Sequence, residues 1–313
     1  MFMWPVAAQG GPLSSSALTR IYSEPAAGYG FFSTAIASAR RDIDLSMYEL
    51  KDPVIEAELV HQAKAGVRVR VLLNSAYERS ENAPAATVLR SGGVHVTWAP
   101  SGQIFHAKYL VIDDARVYIG TGNLVNYYYS STRDFWVLDQ VPGDVAAVEA
   151  TFSSDVAGAT RVPTSHGGLV WSPGSSGVLE ALIGSAHSSL LVENEEMNNQ
   201  EIEQALDAAA ARGVRVSVAM TRDSSYLSAL TSLAQHGVHV SLLTSSQVYI
   251  HAKVICADCS TTSGTLFVGS ENFSTSSLNY NRELGVITHS LVAIDSVRPT
   301  VLSDASSGVR LAP

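Results

Sequence analysis

Two histidine–lysine pairs are the residues of this chain whose types and spacing suggest chemistry. Residues 106–113 read HAKYLVID and residues 251–258 read HAKVICAD, so both segments have the pattern HxKxxxxD. The chain has nine histidines, four lysines and fourteen aspartates. Random placement of these residues gives about 0.005 copies of the pattern per chain. Two copies therefore indicate a shared function.

An imidazole and an ammonium that point to one spot can handle a phosphoryl group. Residues i and i+2 of a strand share a face, so we expect His106 beside Lys108 and His251 beside Lys253. Lysine can hold the phosphoryl oxygens, while histidine attacks phosphorus or transfers a proton. Cleavage of a phosphate ester through a covalent route needs both a nucleophile and an acid. The two pairs are therefore predicted to face each other across a pseudo-two-fold axis.

The chain repeats itself once. AGVRVRVLLN at 65–74 corresponds to RGVRVSVAMT at 212–221, an offset of 147 residues, and the two HAK segments are 145 residues apart. GTGN at 120–123 corresponds to GSEN at 269–272, an offset of 149. Offsets this similar indicate a duplicated domain with small insertions and deletions in its loops.

Each half alternates amphipathic helices with short apolar strands. Segments 54–66 and 201–213 have apolar residues at helical spacing and end in glycine. Strands such as VRVRVLL and VRVSVAM separate the helices. The pattern predicts an α/β fold of two tandem homologous α/β sandwich halves, with mixed, largely parallel sheets. A Gly/Pro/Thr/Ser-rich linker near 155–170 divides the chain into predicted domains 1–160 and 161–313.

A hairpin after each pair is predicted to bring a hydroxyl and an amide back to the site. These are Thr121 and Asn123 in the first half, and Ser270 and Asn272 in the second. We expect the two amides to hold phosphoryl oxygens with the lysines, and the two hydroxyls to serve a structural purpose.

The aspartates that close the two motifs have a different expected task. Asp113 and Asp258 lie five residues beyond each lysine, at the end of a strand. This position favours a turn and hydrogen-bond anchor over a catalytic group.

The combined motifs resemble the phospholipase D superfamily. HxKxxxxD is followed by GTxN in the first half and by GSxN in the second, and GSENFSTSSLNYNRELGV at 269–286 is especially similar to its members. The resemblance covers roughly residues 20–290. It implies a covalent phosphohistidine on one histidine, while the other protonates the departing alcohol, without metal or other cofactor. It also implies His106 as the nucleophile and His251 as the acid and base, although the reverse order remains open.

The resemblance also implies a carboxylate for each histidine. In relatives with two motifs, a downstream carboxylate of the opposite half orients each ring. Asp134 would then pair with His251, and Glu283 with His106. A carboxylate on one ring nitrogen fixes the tautomer and supports the imidazolium.

The substrate is less well defined, because phospholipases, phosphatidyl transferases, cardiolipin synthases and nucleases share these motifs. The net charge is −9 and no stretch is rich in lysine or arginine, unlike most proteins that hold long nucleic acids. The first hypothesis is therefore a monomeric enzyme that cleaves or exchanges phospholipid headgroups at a membrane or micelle surface. A metal-independent nuclease acting on DNA or RNA is the alternative, and a non-catalytic phosphate-binding module is a third.

Four aromatic residues near the motifs are candidates for substrate contact. Tyr127 and Tyr128 follow the GTGN segment, and Phe105 and Tyr249 precede the two histidines. Ordinary packing is the alternative for each of them.

Cysteine usage and hydropathy bear on the compartment. Cys256 and Cys259 are the only cysteines, and we expect free thiols or a small-loop disulfide, with metal binding as the lesser alternative because no second Cys/His pair completes a zinc site. No apolar run approaches the roughly 20 residues that span a bilayer. Scarce lysine with abundant serine, threonine and alanine favours a secreted or periplasmic bacterial protein.

Overall fold

The structure, a computed structural model, describes residues 18–159, 162–163 and 166–313. The predicted boundary between residues 160 and 161 lies outside the described residues. We call residues 18–159 the first half and residues 166–313 the second half. The first half contains β1 (Leu18–Ser23), α1 (Gly30–Ala37), β2 (Asp42–Met47), β3 (Leu50–Lys51), α2 (Pro53–Lys64), β4 (Arg68–Leu73), α3 (Arg79–Ser91), β5 (His95–Trp98), β6 (Lys108–Ile112), β7 (Arg116–Gly120), β8 (Leu124–Val125), a 3-10 turn (Asn126–Tyr128), β9 (Thr132–Arg133), β10 (Phe135–Asp139) and α4 (Pro142–Val156). The second half contains β11 (Leu169–Ser172), α5 (Ser176–Gly184), β12 (Ser189–Glu193), β13 (Met197–Asn198), α6 (Gln200–Ala211), β14 (Arg215–Thr221), α7 (Leu227–Gln235), β15 (His239–Leu243), β16 (Tyr249–Ile250), β17 (Val254–Ala257), β18 (Thr265–Gly269), β19 (Phe273–Ser274), α8 (Thr275–Asn279), β20 (Glu283–Thr288), α9 (Leu291–Ser307) and β21 (Val309–Arg310).

Each half contains one large mixed sheet, and the two sheets have the same strand order. The order is β1-β10-β7-β6-β2-β4-β5 in the first half and β11-β20-β18-β17-β12-β14-β15 in the second, where β21 adds one edge strand. The predicted α/β fold with two tandem halves is therefore confirmed.

The expectation of largely parallel sheets is wrong. Parallel pairing within the two large sheets is confined to β2–β4–β5 and β12–β14–β15, and their other described neighbours pair antiparallel. The physical reason lies in the connections. Between neighbouring strands of the large sheets, helices cross over only within β2–β4–β5 and β12–β14–β15. In contrast, β6 and β17 each run directly into a hairpin, which requires antiparallel pairing.

Equivalent side chains start the helix that follows the first parallel strand of each half. Asp52 accepts a hydrogen bond from the Val54 amide at 2.9 Å, and Asn199 accepts one from the Ile202 amide at 3.0 Å. These caps satisfy amides that would otherwise have no partner at the start of α2 and α6.

Within the described residues, no helix is long and apolar enough to cross a membrane.

The two large sheets pack face to face. Their inner faces and the helices α4 and α9 share one hydrophobic core, which includes Phe152 of α4, Val297 of α9 and Ile250 of β16. Helices α1 to α3 cover the outer face of the first sheet, and α5 to α7 cover that of the second. The loops at the junction of the halves are therefore held by a shared core.

Two reciprocal ion pairs join the halves. Arg282 of the second half contacts Asp155 of α4, with 3.1 Å between Nη2 and Oδ1. Arg133 of the first half contacts Asp304 of α9, with 2.6 Å between Nε and Oδ2. The two arginines are 149 residues apart, and so are the two aspartates. The duplication has therefore produced the same ion pair in equivalent positions of the two halves.

The two cysteines form a disulfide. Cys256, in β17, is bonded to Cys259, in the turn that follows it. Of the alternatives left open by the sequence, the small-loop disulfide is therefore the one found.

We predict that Asp155→Ala lowers the free energy of unfolding by about 3–5 kcal/mol, because it removes the carboxylate from a buried guanidinium. Arg282 is only 4% exposed. Urea denaturation measures the change. Asp295→Ala, at an exposed position of α9, is the matched control and should stay within about 0.5 kcal/mol of wild type. Equal, small effects of the two substitutions would contradict the prediction.

Candidate active site

The backbone of each HxK segment is hydrogen-bonded to the opposite half. The His106 amide donates to the Arg282 carbonyl at 2.9 Å, and the Arg282 amide donates to the Ile104 carbonyl at 2.8 Å. In the equivalent place, the His251 amide donates to the Arg133 carbonyl at 3.2 Å, beside the parallel pairing of β16 with β9. Both histidines therefore lie at the junction of the halves.

Each histidine ring also contacts a carboxylate of the opposite half. His106 Nδ1 lies 2.8 Å from Oε2 of Glu283, and His251 Nδ1 lies 2.8 Å from Oδ1 of Asp134. The structure thus brings together the pairs that the sequence analysis names. A carboxylate on Nδ1 leaves Nε2 as the nitrogen that can meet a substrate.

The two carboxylates are held by hydroxyl groups. Thr121 Oγ1 donates to Asp134 at 2.6 Å, and the hydroxyls of Ser270 and Ser277 each donate to Glu283 at 2.7 Å. Burial favours a higher pKa for both carboxyls, but the facing histidine, the nearby lysines and these hydrogen bonds outweigh it and lower both pKa values. Both groups therefore remain ionised.

The two lysines of the motifs are fully buried. Lys108 Nζ donates to the carbonyl of His106 at 2.7 Å, and Lys253 Nζ donates to the carbonyl of His251. Lys253 Nζ also lies 3.0 Å from Oε2 of Glu195. Burial, together with the charge of Lys253, lowers the pKa of Lys108 to about 7. Lys108 is therefore only partly protonated at pH 7.

His106 is neutral at pH 7. Burial lowers the pKa of His106 to about 4, despite the opposing effect of Glu283. The rings of His106 and Tyr48 are close to perpendicular, with 4.7 Å between the ring centroids and 76° between their planes. A neutral imidazole keeps the nitrogen lone pair that nucleophilic attack requires.

Both histidines open into one cavity of about 540 Å³. The side-chain oxygens of Asn123 and Asn272, which line it, have no hydrogen-bond partner among the described residues. Within that same part of the chain, no group of three or more histidine, cysteine or acidic residues could hold a metal ion. The lining consists of Tyr48, Glu49, His106, Asn123, Tyr128, Tyr129, Ser131, Thr132, Asp134, Glu195, Glu196, Ser245, Tyr249, His251 and Asn272.

The four aromatic candidates are not equivalent in the structure. Tyr128 and Tyr249 line the cavity. Tyr127 does not line it, but its ring is 57% exposed and lies 4.3 Å from that of Tyr128. Phe105 is 4% exposed and packs in the core between the sheets, where it meets no substrate.

The motif aspartates lie at the other end of their strands from the histidines. The Asp113 carboxylate accepts a hydrogen bond from the Arg41 amide at 2.7 Å, and that of Asp258 accepts from the amides of Ser188 at 2.7 Å and Ser189 at 2.9 Å. Both aspartates have positive φ, 55° and 50°. They fix the chain just before β2 and β12 and do not line the cavity.

The sequence analysis missed the residues that follow those two strands. Tyr48 and Glu49 in the first half, and Glu195 and Glu196 in the second, line the cavity. The sequence did contain an indication of these residues. The offset of 147 that relates 65–74 to the second half also makes Tyr48 equivalent to Glu195. The residue types differ between the halves, so identity alone does not reveal the pair.

Family comparison agrees with this geometry. The model of the family described as "Cardiolipin synthase, PLD-like domain" matches residues 32–156 and 179–300. The chain therefore belongs to this phospholipase D-like family. No curated protein sequence matches the chain.

Solved structures share the fold at low sequence identity. A polyphosphate kinase from Porphyromonas gingivalis has a TM-score of 0.73 and 14% identity over 94% of this chain. The match covers 48% of the kinase, so the chain spans about half its length. A phosphatidylserine synthase from Haemophilus influenzae has a TM-score of 0.72 and 13% identity, covering 94% of this chain and 88% of the synthase.

Proposed function

We propose that the protein is a metal-independent phosphodiesterase that works through a covalent phosphohistidine. The observation that carries the proposal is that both histidines line one cavity, each with an ionised carboxylate on Nδ1 and with its motif lysine buried and bonded to its own carbonyl. Residues 1–160 and 161–313 would be homologous domains that contribute one pair each. This arrangement supplies a nucleophile and an acid from a single duplicated motif.

His106 is the proposed nucleophile, because its neutral imidazole keeps the lone pair that attack requires. Its Nε2 has no hydrogen-bond partner among the described residues and attacks phosphorus. As the P–N bond forms, the P–O bond to the alcohol breaks, and the departing oxygen takes the Nε2 proton of His251. Lys108, Lys253 and the amides that line the cavity stabilise the charge on the phosphoryl oxygens.

Release of the product reverses these transfers. Neutral His251 removes a proton from water, the water oxygen bonds to phosphorus, and the P–N bond to His106 breaks. The products are a phosphomonoester and the regenerated enzyme. A second alcohol in place of water would give headgroup exchange by the same steps.

The proposed substrate is a glycerophospholipid, cleaved to phosphatidic acid and a free headgroup alcohol. The family is described by a lipid-modifying enzyme, a cardiolipin synthase. Glu49, Glu195 and Glu196 line the cavity and would repel a polyanion such as DNA or RNA. Tyr127 and Tyr128, at and beside its edge, suit a lipid interface because tyrosine has an apolar body and a polar tip.

An oxidising compartment is the proposed location. The disulfide between Cys256 and Cys259 supports it, because disulfides persist in secreted and periplasmic proteins and are rare in the cytosol. A membrane or micelle surface is the expected place of action.

We predict that the protein releases choline and phosphatidic acid from phosphatidylcholine vesicles in EDTA. His106→Ala should reduce the rate at least about 1,000-fold, because it removes the nucleophile. His61→Ala, at an exposed site on α2 outside the cavity, is the control and should match wild type. Turnover that survives in His106→Ala, or turnover of single-stranded DNA in place of vesicles, would contradict the proposal.

We also predict a bell-shaped pH profile of kcat/KM. The rate should rise as His106 loses its proton, near its pKa of about 4, because only the neutral ring attacks phosphorus. It should fall as Lys108 loses its proton, near its pKa of about 7, because the neutral amine no longer stabilises phosphoryl charge. Initial rates on a monodisperse short-chain phospholipid measure the profile. A rate that continues to rise well above pH 8 would contradict the assignment.

A further inference from the structure

The two halves of the site differ at one position. Tyr48 and Glu195 follow β2 and β12 at the same offset of 147 residues that relates the caps Asp52 and Asn199. Each side chain lies against the HxK pair of its own half. The duplication has therefore placed an uncharged phenol at one histidine and a carboxylic acid at the other.

The contacts of these two residues are chemically opposite. The ring of Tyr48 lies edge-on to His106 and 5.1 Å from Nζ of Lys108. Glu195 Oε2 lies 3.5 Å from His251 Nε2 and 3.0 Å from Lys253 Nζ. The Nδ1 contacts do not distinguish the halves, since both are 2.8 Å long and end on a carboxylate.

Glu195 is ionised in this setting. Burial acts to raise the pKa of its carboxyl, but the charges of His251 and Lys253 and the hydroxyl of Tyr249, which donates to Oε1 at 2.9 Å, hold it well below its usual range. Burial raises the pKa of Tyr48, so the phenol stays neutral. The second-half histidine therefore faces a negative charge on both ring nitrogens, and the first-half histidine faces one on Nδ1 alone.

We propose that Glu195 is a positioning residue that commits His251 to the acid step and leaves His106 as the nucleophile. The inference rests on the proposed function and explains how a duplicated site acquires a direction. A carboxylate beside each ring nitrogen of His251 would stabilise the positive charge that the ring carries when it acts as the acid for the departing alcohol.

The distance is compatible with proton donation. At 3.5 Å, the contact of Glu195 with Nε2 is an ion pair and too long for a good hydrogen bond. The Nε2 proton therefore remains available to the leaving oxygen. In the first step the P–N bond to His106 forms, the P–O bond breaks, and this proton moves to the alkoxide, while Glu195 keeps its charge and gains no proton.

A pair of esters with different leaving groups tests this inference. Phosphatidylcholine releases an alkoxide that must be protonated, whereas phosphatidyl-p-nitrophenol releases a stable phenolate that needs no acid. Single-turnover release of the leaving group, measured by rapid quench with enzyme in excess, reports the first step alone for both esters.

Glu195→Gln should slow single-turnover release from phosphatidylcholine about 100-fold, the size of a general-acid contribution, and release from the nitrophenyl ester less than about 3-fold. Glu195→Asp should recover part of the lost rate. Glu196→Gln, which alters the adjacent cavity residue that contacts Asn272, should change both esters by the same factor.

An equal slowing of both esters by Glu195→Gln would overturn the inference while leaving the proposed function in place, since it would indicate a general loss of binding or folding. Absence of product from both esters in wild type would instead overturn the proposed function, and the inference with it.

Discussion

The bond from each histidine to a carboxylate of the opposite half is the constraint on which the rest of the structure depends. His106 to Glu283 and His251 to Asp134 are both 2.8 Å, and neither can form unless the two halves are docked. The face-to-face sheets, the shared core and the reciprocal pairs of Arg133 and Arg282 all act at this junction. The contacts that stabilise the junction of the halves therefore also fix the geometry of the cavity.

Pairing of opposite charges explains how the ionisable groups of the site can be buried inside the protein. Two fully buried lysines lie among carboxylates of both halves, and each carboxylate is fixed by hydroxyl groups or by the lysine itself. The surroundings of the two histidines are unequal. Burial dominates at His106, whose pKa falls to about 4, whereas a second carboxylate, Glu195, stands beside His251. A duplicated scaffold can thus supply two different chemical functions.

Much of this arrangement could be predicted from the sequence, because strand alternation places i and i+2 on one face and the repeat fixes which segments correspond. That reasoning predicted the α/β halves, whereas the pairing of Asp134 and Glu283 with the opposite histidines came from the resemblance to the phospholipase D superfamily. It failed for the relative direction of neighbouring strands. The hairpins after β6 and β17 require antiparallel pairing, and the alternation of helices and strands along the sequence does not reveal this. It also missed Glu195, because its partners His251 and Lys253 become neighbours only in the fold, and misplaced Phe105, whose position beside His106 says nothing about burial.

The most direct test of the account is the location of the covalent intermediate. After brief reaction with phosphatidyl-p-nitrophenol, the variants His251→Ala and His106→Ala can be quenched in alkali, in which phosphohistidine is stable, and mapped by peptide mass spectrometry. The account predicts a phosphatidyl adduct on His106 in His251→Ala, where breakdown lacks its base, and no adduct in His106→Ala. An adduct on His251 in His106→Ala, or none in either variant while wild type turns over, would contradict it.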